Sequence, residues 1–361
     1  MNNTAYLLAL HSINGLGPIR LKAILDYFKD PKLAWESNLQ EIRGVGIPQK
    51  VVELLGEARQ RLDPVSYAES IKRSGIKWLT IYDKNYPKLL KEIYDPPVVL
   101  YYKGEILPQD HKSIGVVGTR KITGYGKLAT EQFTKGLVNA GLTIVSGLAR
   151  GVDSQAHLTA VSEKGRTIAV LGSGLNNIFP SENRSLAEKI SSGFGAVVSE
   201  FPPDNSALPG NFPARNRIIS GLSLAVLVIE AAEDSGSLIT AKLALEEGRE
   251  VFAVPGPITS NLSKGPIDLI RQGARAVFSA DEVLEELGIN KVISDKEKVI
   301  SEINLSEEER QVLIILESET KHIDEIGRQL RFSSAKISAL LLKMEISGLV
   351  QSIGAGIYCK R

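Results

Sequence analysis

The chain has little to staple or ligate with. A single cysteine, Cys359, in 361 residues leaves no internal disulfide and no cysteine metal cluster. Its four histidines include no pair at metal-ligand spacing. No stretch reaches the roughly 18 consecutive apolar residues of a membrane span, and no basic flank leads into a sustained apolar run at the start. These absences give a cytoplasmic location as the expectation. An excess of one charge is missing too. Lys and Arg number 43 against 42 Asp and Glu, a net +1, so any site for a polyanion must be local. What remains is ordinary for globular protein: 43% hydrophobic and 24% charged residues, long enough at ~150 residues per domain for two or three domains.

The most ordered pattern starts at Ile114. Ile114-Gly115-Val116-Val117 breaks into Gly118-Thr119-Arg120, and an amphipathic segment follows from Gly124 to Asn139. Leu142 to Val145 then breaks into Ser146-Gly147-Leu148-Ala149-Arg150-Gly151. Short β-branched runs alternating with helical patterns predict βαβ units and a parallel sheet. Further strands are expected at Thr167–Leu171, Ala196–Ser199, Leu224–Ile229, Glu250–Val254 and Ala276–Phe278, most exiting into Gly, Ser or Pro. In such sheets ligands bind outside the carboxyl ends of the strands, where backbone N–H groups and helix N-termini favour anions. A loop is expected from Phe201 to Pro213, before Ala214-Arg215-Asn216-Arg217.

The flanks differ in kind. Residues 1–62 predict a small all-α domain, in which Gly15-Leu16-Gly17-Pro18 and Gly44-Val45-Gly46-Ile47-Pro48 each precede a helix, as in paired helix-hairpin-helix modules. Glycines in that setting let backbone N–H groups meet a phosphate, yet eight basic against six acidic residues leave a purely structural role equally open. Residues 63–288 hold the sheet, with 289–302 a charged linker. Residues 303–361 read as three helices and a hairpin, a winged-helix pattern opened by the capping box Ser306–Glu309. Eight basic and eight acidic residues there favour a protein contact over DNA readout.

Two chemistries compete for the sheet. No Gly-x-x-x-x-Gly-Lys-Ser/Thr is present, and Gly172-Ser173-Gly174 lacks the third glycine of a dinucleotide fingerprint. Glu200 or Glu230 could still serve a nucleotide-processing enzyme in the same crevice. Asp153 and His157 read as structural. The groups that fit a phosphate-lined groove are Arg120, Arg150, Arg215 and Arg217 near strand exits, with Ser235, Gly236 and Ser237 capping a helix and Lys242 in its first turn. Phe179, Phe201 and Phe212 in neighbouring loops offer faces for base stacking.

Several long motifs then follow one family in order. Gly118-Thr119-Arg120, Ser146 to Asp153 with Ala156-His157, Ala169 to Gly174, Asn211 to Gly221, Ser235 to Ala241 and Val251 to Gly256 resemble the DprA (Smf) family. The resemblance implies an extended Rossmann-like core that binds single-stranded DNA without sequence preference, needs no cofactor and has no known catalysis. It also implies a homodimer that loads the RecA recombinase during natural transformation, with single-strand-binding protein a further partner. Phosphate-pocket positions carry over to Gly118, Thr119, Arg120, Ser146, Gly147, Arg215, Asn216 and Arg217. Thr240 and Ala241 stand where nucleotide-hydrolysing Rossmann relatives place a catalytic Glu. One departure is Gly265-Pro266-Ile267-Asp268-Leu269-Ile270, where the family has a Gly-Thr/Asn-x-Leu-Ile segment.

Overall fold

The computed structural model describes residues 2–289, 306–317, 319–347, 349–354 and 356–360. The linker expected at 289–302 lies outside the described residues apart from Ile289, as does Gly348 of the expected hairpin. The chain forms two compact units, Met1–Val292 and Ile293–Arg361.

The first unit opens with helices α1 (Asn2–His11), α2 (Pro18–Phe28), α3 (Pro31–Glu36), α4 (Leu39–Gly44), α5 (Gln49–Arg61) and α6 (Pro64–Arg73). Pro at the first position of α2, α3 and α6 costs no hydrogen bond there, and the Asp30 and Asp63 carboxylates cap the latter two. The helical part thus runs past residue 62. Its apolar face is not closed on itself: Leu7, Leu10, Leu21 and Val52 share one core with Val99, Tyr101, Leu171 and Val197 of the sheet.

That sheet has nine strands: β1 (Lys77–Thr80), β2 (Val99–Gly104), β3 (Ser113–Val117), β4 (Thr143–Ser146), β5 (Thr167–Val170), β6 (Gly195–Ser199), β7 (Ala225–Val228), β8 (Glu250–Ala253) and β9 (Arg275–Ala276). Their spatial order is β1-β2-β6-β5-β4-β3-β7-β8-β9, and β2 alone runs against the rest. The central strands are β-branched on both faces because both are covered. Ile114, Val116, Ile144 and Leu227 face α8 (Gly124–Asn139), α9 (Val152–Ser162) and a later helix that carries Val283 and Leu284. Val117, Val145, Val170 and Val228 face the other layer, with Leu90 of α7 (Lys88–Lys91), and with Ile218 and Ala241 from later helices. After β5 comes α10 (Arg184–Lys189), after β6 α11 (Asn211–Leu222), and after β7 α12 (Gly236–Glu246). Helices α13 (Lys264–Arg271) and α14 (Ala280–Glu286) finish the unit.

Two local expectations change. The loop expected to reach Pro213 ends earlier, because α11 begins at Asn211 and holds Pro213 within its first turn, where no N–H is missed. The atypical Gly265-Pro266 segment is the start of α13: the Gly265 N–H donates to the Ala231 carbonyl at 2.9 Å, and a Cβ on Gly265 would stand 2.6 Å from that oxygen.

The second unit contains α15 (Glu307–Ile315), α16 (Ile323–Leu330) and α17 (Ser334–Ile346), with strands β10 (Lys321–His322), β11 (Val350–Gly354) and β12 (Ile357–Lys360) in the order β10-β12-β11. Ser306 caps α15 while Glu309 accepts from the Ser306 N–H at 2.8 Å, the reciprocal pair read from the sequence. Val312, Ile326, Ile337, Leu341 and Met344 close its own core.

Candidate functional site

Strand order sets the place. From β3 the chain winds outward through β4 and β5 to β6, then returns to the other side of β3 as β7. The reversal leaves a crevice at the carboxyl ends of β3 and β7, the topological switch point of an open α/β sheet.

The loop after β3 is held tightly. Thr119 donates its N–H to the Glu230 carbonyl at 2.6 Å, and its hydroxyl accepts from the Lys121 N–H at 3.1 Å. A side chain on Gly118 would run into Val152 and that same carbonyl, which explains the glycine. The Glu230 carboxylate accepts from the Thr123 hydroxyl at 2.6 Å and from the Thr123 N–H at 3.1 Å, fixing the residue that caps α8. Glu230 is therefore a clamp on this loop.

Beneath lies Arg215, buried, whose Nη1 donates to the carbonyls of Gly147 and Val170 and whose Nε donates to Asn216 Oδ1 at 3.1 Å. It joins the loops after β4 and β5. A Cβ on Gly147 would stand 2.1 Å from the guanidinium, so only glycine fits over it. Burial lowers the Arg215 pKa to about 10, with the Asp153 carboxylate opposing that shift and Arg120 adding to it. Its charge persists at neutral pH, as a fixed positive floor. Asp153 accepts from the N–H groups of Gly147 (3.1 Å) and Ala149 (3.4 Å), and burial raises its pKa. Ser146 is buried and donates to the Val116 carbonyl at 2.7 Å. His157 faces the Thr167 hydroxyl at 2.7 Å, and burial lowers its pKa to about 3. Asp153 thus ties the loop after β4 to α9, and His157 ties α9 to β5.

Other expected residues lie in different settings. Arg217 is buried and turned away: its two Nη atoms donate to the two Glu200 carboxylate oxygens at 2.8 and 2.7 Å, and its Nε lies 2.9 Å from Asp95. Charge on a strand-exit segment suggested a phosphate ligand; two carboxylates already hold it. Asn216 is likewise nearly buried, its side-chain amide on the Gly236 carbonyl at 3.2 Å. Arg150 is exposed but paired with Glu182. Ser235 caps α12 and exchanges a 2.7 Å hydrogen bond with Ser237. Lys242 stands in the second turn of α12, not the first, and lies 3.8 Å from Glu246.

Arg120 differs from all of these. It is exposed, has no acidic partner among the described residues, and its guanidinium lies 5.6 Å above the Phe212 ring. Phe212 packs against Gly172 and stands 5.7 Å from Phe179, which is 50% exposed. A cation and two aromatic faces thus form a row over the loops after β3 and β5. The sequence showed these residues in neighbouring loops, but their alignment depends on α11 beginning two residues before Pro213. Arg184, the first residue of α10, is also exposed and without an acidic partner among the described residues.

Fold and site together define a class: an open parallel-sheet protein with a Rossmann-type crevice, floored by a buried arginine and edged by a free arginine and exposed aromatics. Comparison with known proteins narrows it. The family model for DNA recombination-mediator protein A matches residues 77–288, and the DprA winged-helix model matches residues 298–356. The chain belongs to this DprA (Smf) family. It is similar to Protein Smf of Synechocystis, 36% identical over 99% of this chain and 98% of the relative, and to DNA processing protein DprA of Bacillus subtilis, 48% identical over 60% and 73%. The X-ray structure of DNA processing protein A from Streptococcus pneumoniae superimposes with a TM-score of 0.70 at 37% identity, covering 78% of this chain and 97% of that one. A second, described as showing the single-stranded DNA binding mode of the Helicobacter pylori protein, gives 0.53 at 31% identity over 59% and 95%.

Proposed function

We propose that this protein binds single-stranded DNA along the crevice edge, without sequence preference, and delivers it to a recombinase of the RecA type. The carrying observation is the row Arg120–Phe212–Phe179. An unpaired guanidinium suits a phosphate, and a half-exposed ring suits any base, because every base has a π-face. Buried Arg215, which bridges the carbonyls of Gly147 and Val170, adds a fixed positive charge beneath. That a family relative carries a described single-stranded DNA binding mode supports the same reading. The acids a nucleotide-processing enzyme would draw on, Glu200 and Glu230, are engaged by Arg217 and Thr123. A homodimer, single-strand-binding protein as a second partner, and a cytoplasmic setting complete the proposal.

The first test is fluorescence anisotropy of labelled oligo-dT over a salt series, beside a matched duplex and excess mononucleotide. The expected outcome is strand binding with a steep salt slope and weak duplex affinity. Arg120→Ala should weaken all sequences alike and reduce the slope by about 0.7, the loss of one phosphate contact. Phe212→Ala should cost ~1–3 kcal/mol, the worth of one stacked base. Saturable mononucleotide binding without strand binding would overturn the reading. Delivery is tested separately, by whether the protein speeds RecA filament assembly on strands coated with single-strand-binding protein.

A further inference from the structure

A groove of about 220 Å³ lies between α10 and strands β2 and β6. Leu175, Ile178, Ala187 and Val197 line it, an apolar floor continuous with the core shared by sheet and N-terminal helices. Lys103 and Arg184 also line it, and neither has an acidic partner among the described residues. That sets them apart from Arg150 and Lys242, which are both paired. Glu188 shares the wall, and Asn176 is held by Asp204 at 2.7 Å.

We propose that this groove is a second subsite for the same strand, taking one unstacked nucleobase with its flanking phosphates on Lys103 and Arg184. The inference rests on the single-stranded DNA reading above and extends it past the crevice. Continuity selects the occupant. Ile178, which lines the groove, is the chain neighbour of the exposed Phe179, so a strand with one base stacked on Phe179 has its next nucleotide within reach of the groove. An apolar slot with a cationic rim matches an aromatic base on an anionic backbone. Glu188 does not contradict this, because a carboxylate can accept from the exocyclic amino group of a base.

The experiment compares wild type, Arg120→Ala and a Lys103→Ala/Arg184→Ala double variant across oligonucleotides of about 4 to about 16 nucleotides. Both rim residues are polar and line an open groove, so the double variant should fold. Arg120→Ala should weaken binding at every length. The rim variant should match wild type on the shortest strands and lose on the order of tenfold on the longest at low salt. Equal affinities of wild type and rim variant at all lengths would overturn the subsite while leaving the crevice reading intact. No strand binding by wild type would overturn both. A second readout isolates the base: 2-aminopurine placed at successive positions should change its fluorescence where it stacks on the aromatic row and at one further position, and Ser191→Trp, at a residue that lines the groove, should abolish the change at that further position alone. A uniform signal at every position would remove the base pocket.

Discussion

Arg120 and Arg217 are the same residue type in comparable positions of the sequence, each near a strand exit, yet the fold uses them oppositely. Arg217 completes a buried cluster with Glu200 and Asp95. Removing one partner from such a cluster leaves charge uncompensated in a poor solvent, so Arg217→Ala should cost about 3–5 kcal/mol. Denaturant unfolding should show that loss, while the salt slope of strand binding in the folded fraction stays unchanged. Arg120→Ala should give the reverse pattern, near-neutral stability and a shallower slope. No sequence pattern separates the two, because Asp95 comes from a distant turn that only the fold brings against α11. Composition and motif identified the arginines; partner geometry decides which one meets solvent.

Among elements, α8 depends on a residue outside itself. Its capping residue Thr123 is gripped by Glu230 from the loop after β7, so the helix start, the Gly118–Thr123 loop and the position of Arg120 form one unit. Glu230→Ala should lower the melting temperature through about 1–3 kcal/mol of lost buried hydrogen bonding. It should also weaken strand binding, although Glu230 touches no strand, and Glu230→Gln, which keeps an acceptor, should recover part of both. A thermal melt beside the anisotropy titration reads the two effects. Most strands and helices were legible from apolar periodicity: the helix expected at Gly124–Asn139 is found with those bounds, and the expected winged-helix capping box is present. The start of α11 was not, since Pro and Asn next to Gly suggest a loop unless the proline falls in a first turn. β1 was missed because Lys77–Thr80 is short, half-exposed and without alternation.

At the scale of the whole molecule, the buried His157 and the part-buried His11 make the first unit sensitive to acid. Burial lowers the His11 pKa to about 4, beside Tyr101, and that of His157 to about 3. The unfolded chain therefore binds more protons than the folded one once the pH falls below about 6.5, and stability declines as pH drops toward those values. Each histidine should cost roughly 2 kcal/mol by pH 5. Glu247 works in the opposite sense: burial raises its pKa to about 7, so its protonation favours the fold as the pH falls from there toward its ordinary value. Between about pH 7 and 4.5 the net acid loss should therefore be smaller than the two histidines alone would give. Urea midpoints at several pH values check this, and His11→Phe should flatten the His11 share.

The core that joins the N-terminal helices to the sheet also imposes an order in time. The first helices leave the ribosome early, but the strand residues that cover their apolar face end at Val197, about 190 residues later, a wait of roughly ten to forty seconds at ordinary rates of synthesis. For that interval Leu7, Leu10 and Leu21 are covered only in part, by one another, by the neighbouring helices and by earlier strand residues such as Val99 and Tyr101. A nascent chain stalled between α6 and β6 would be the form of this protein most readily bound by a chaperone.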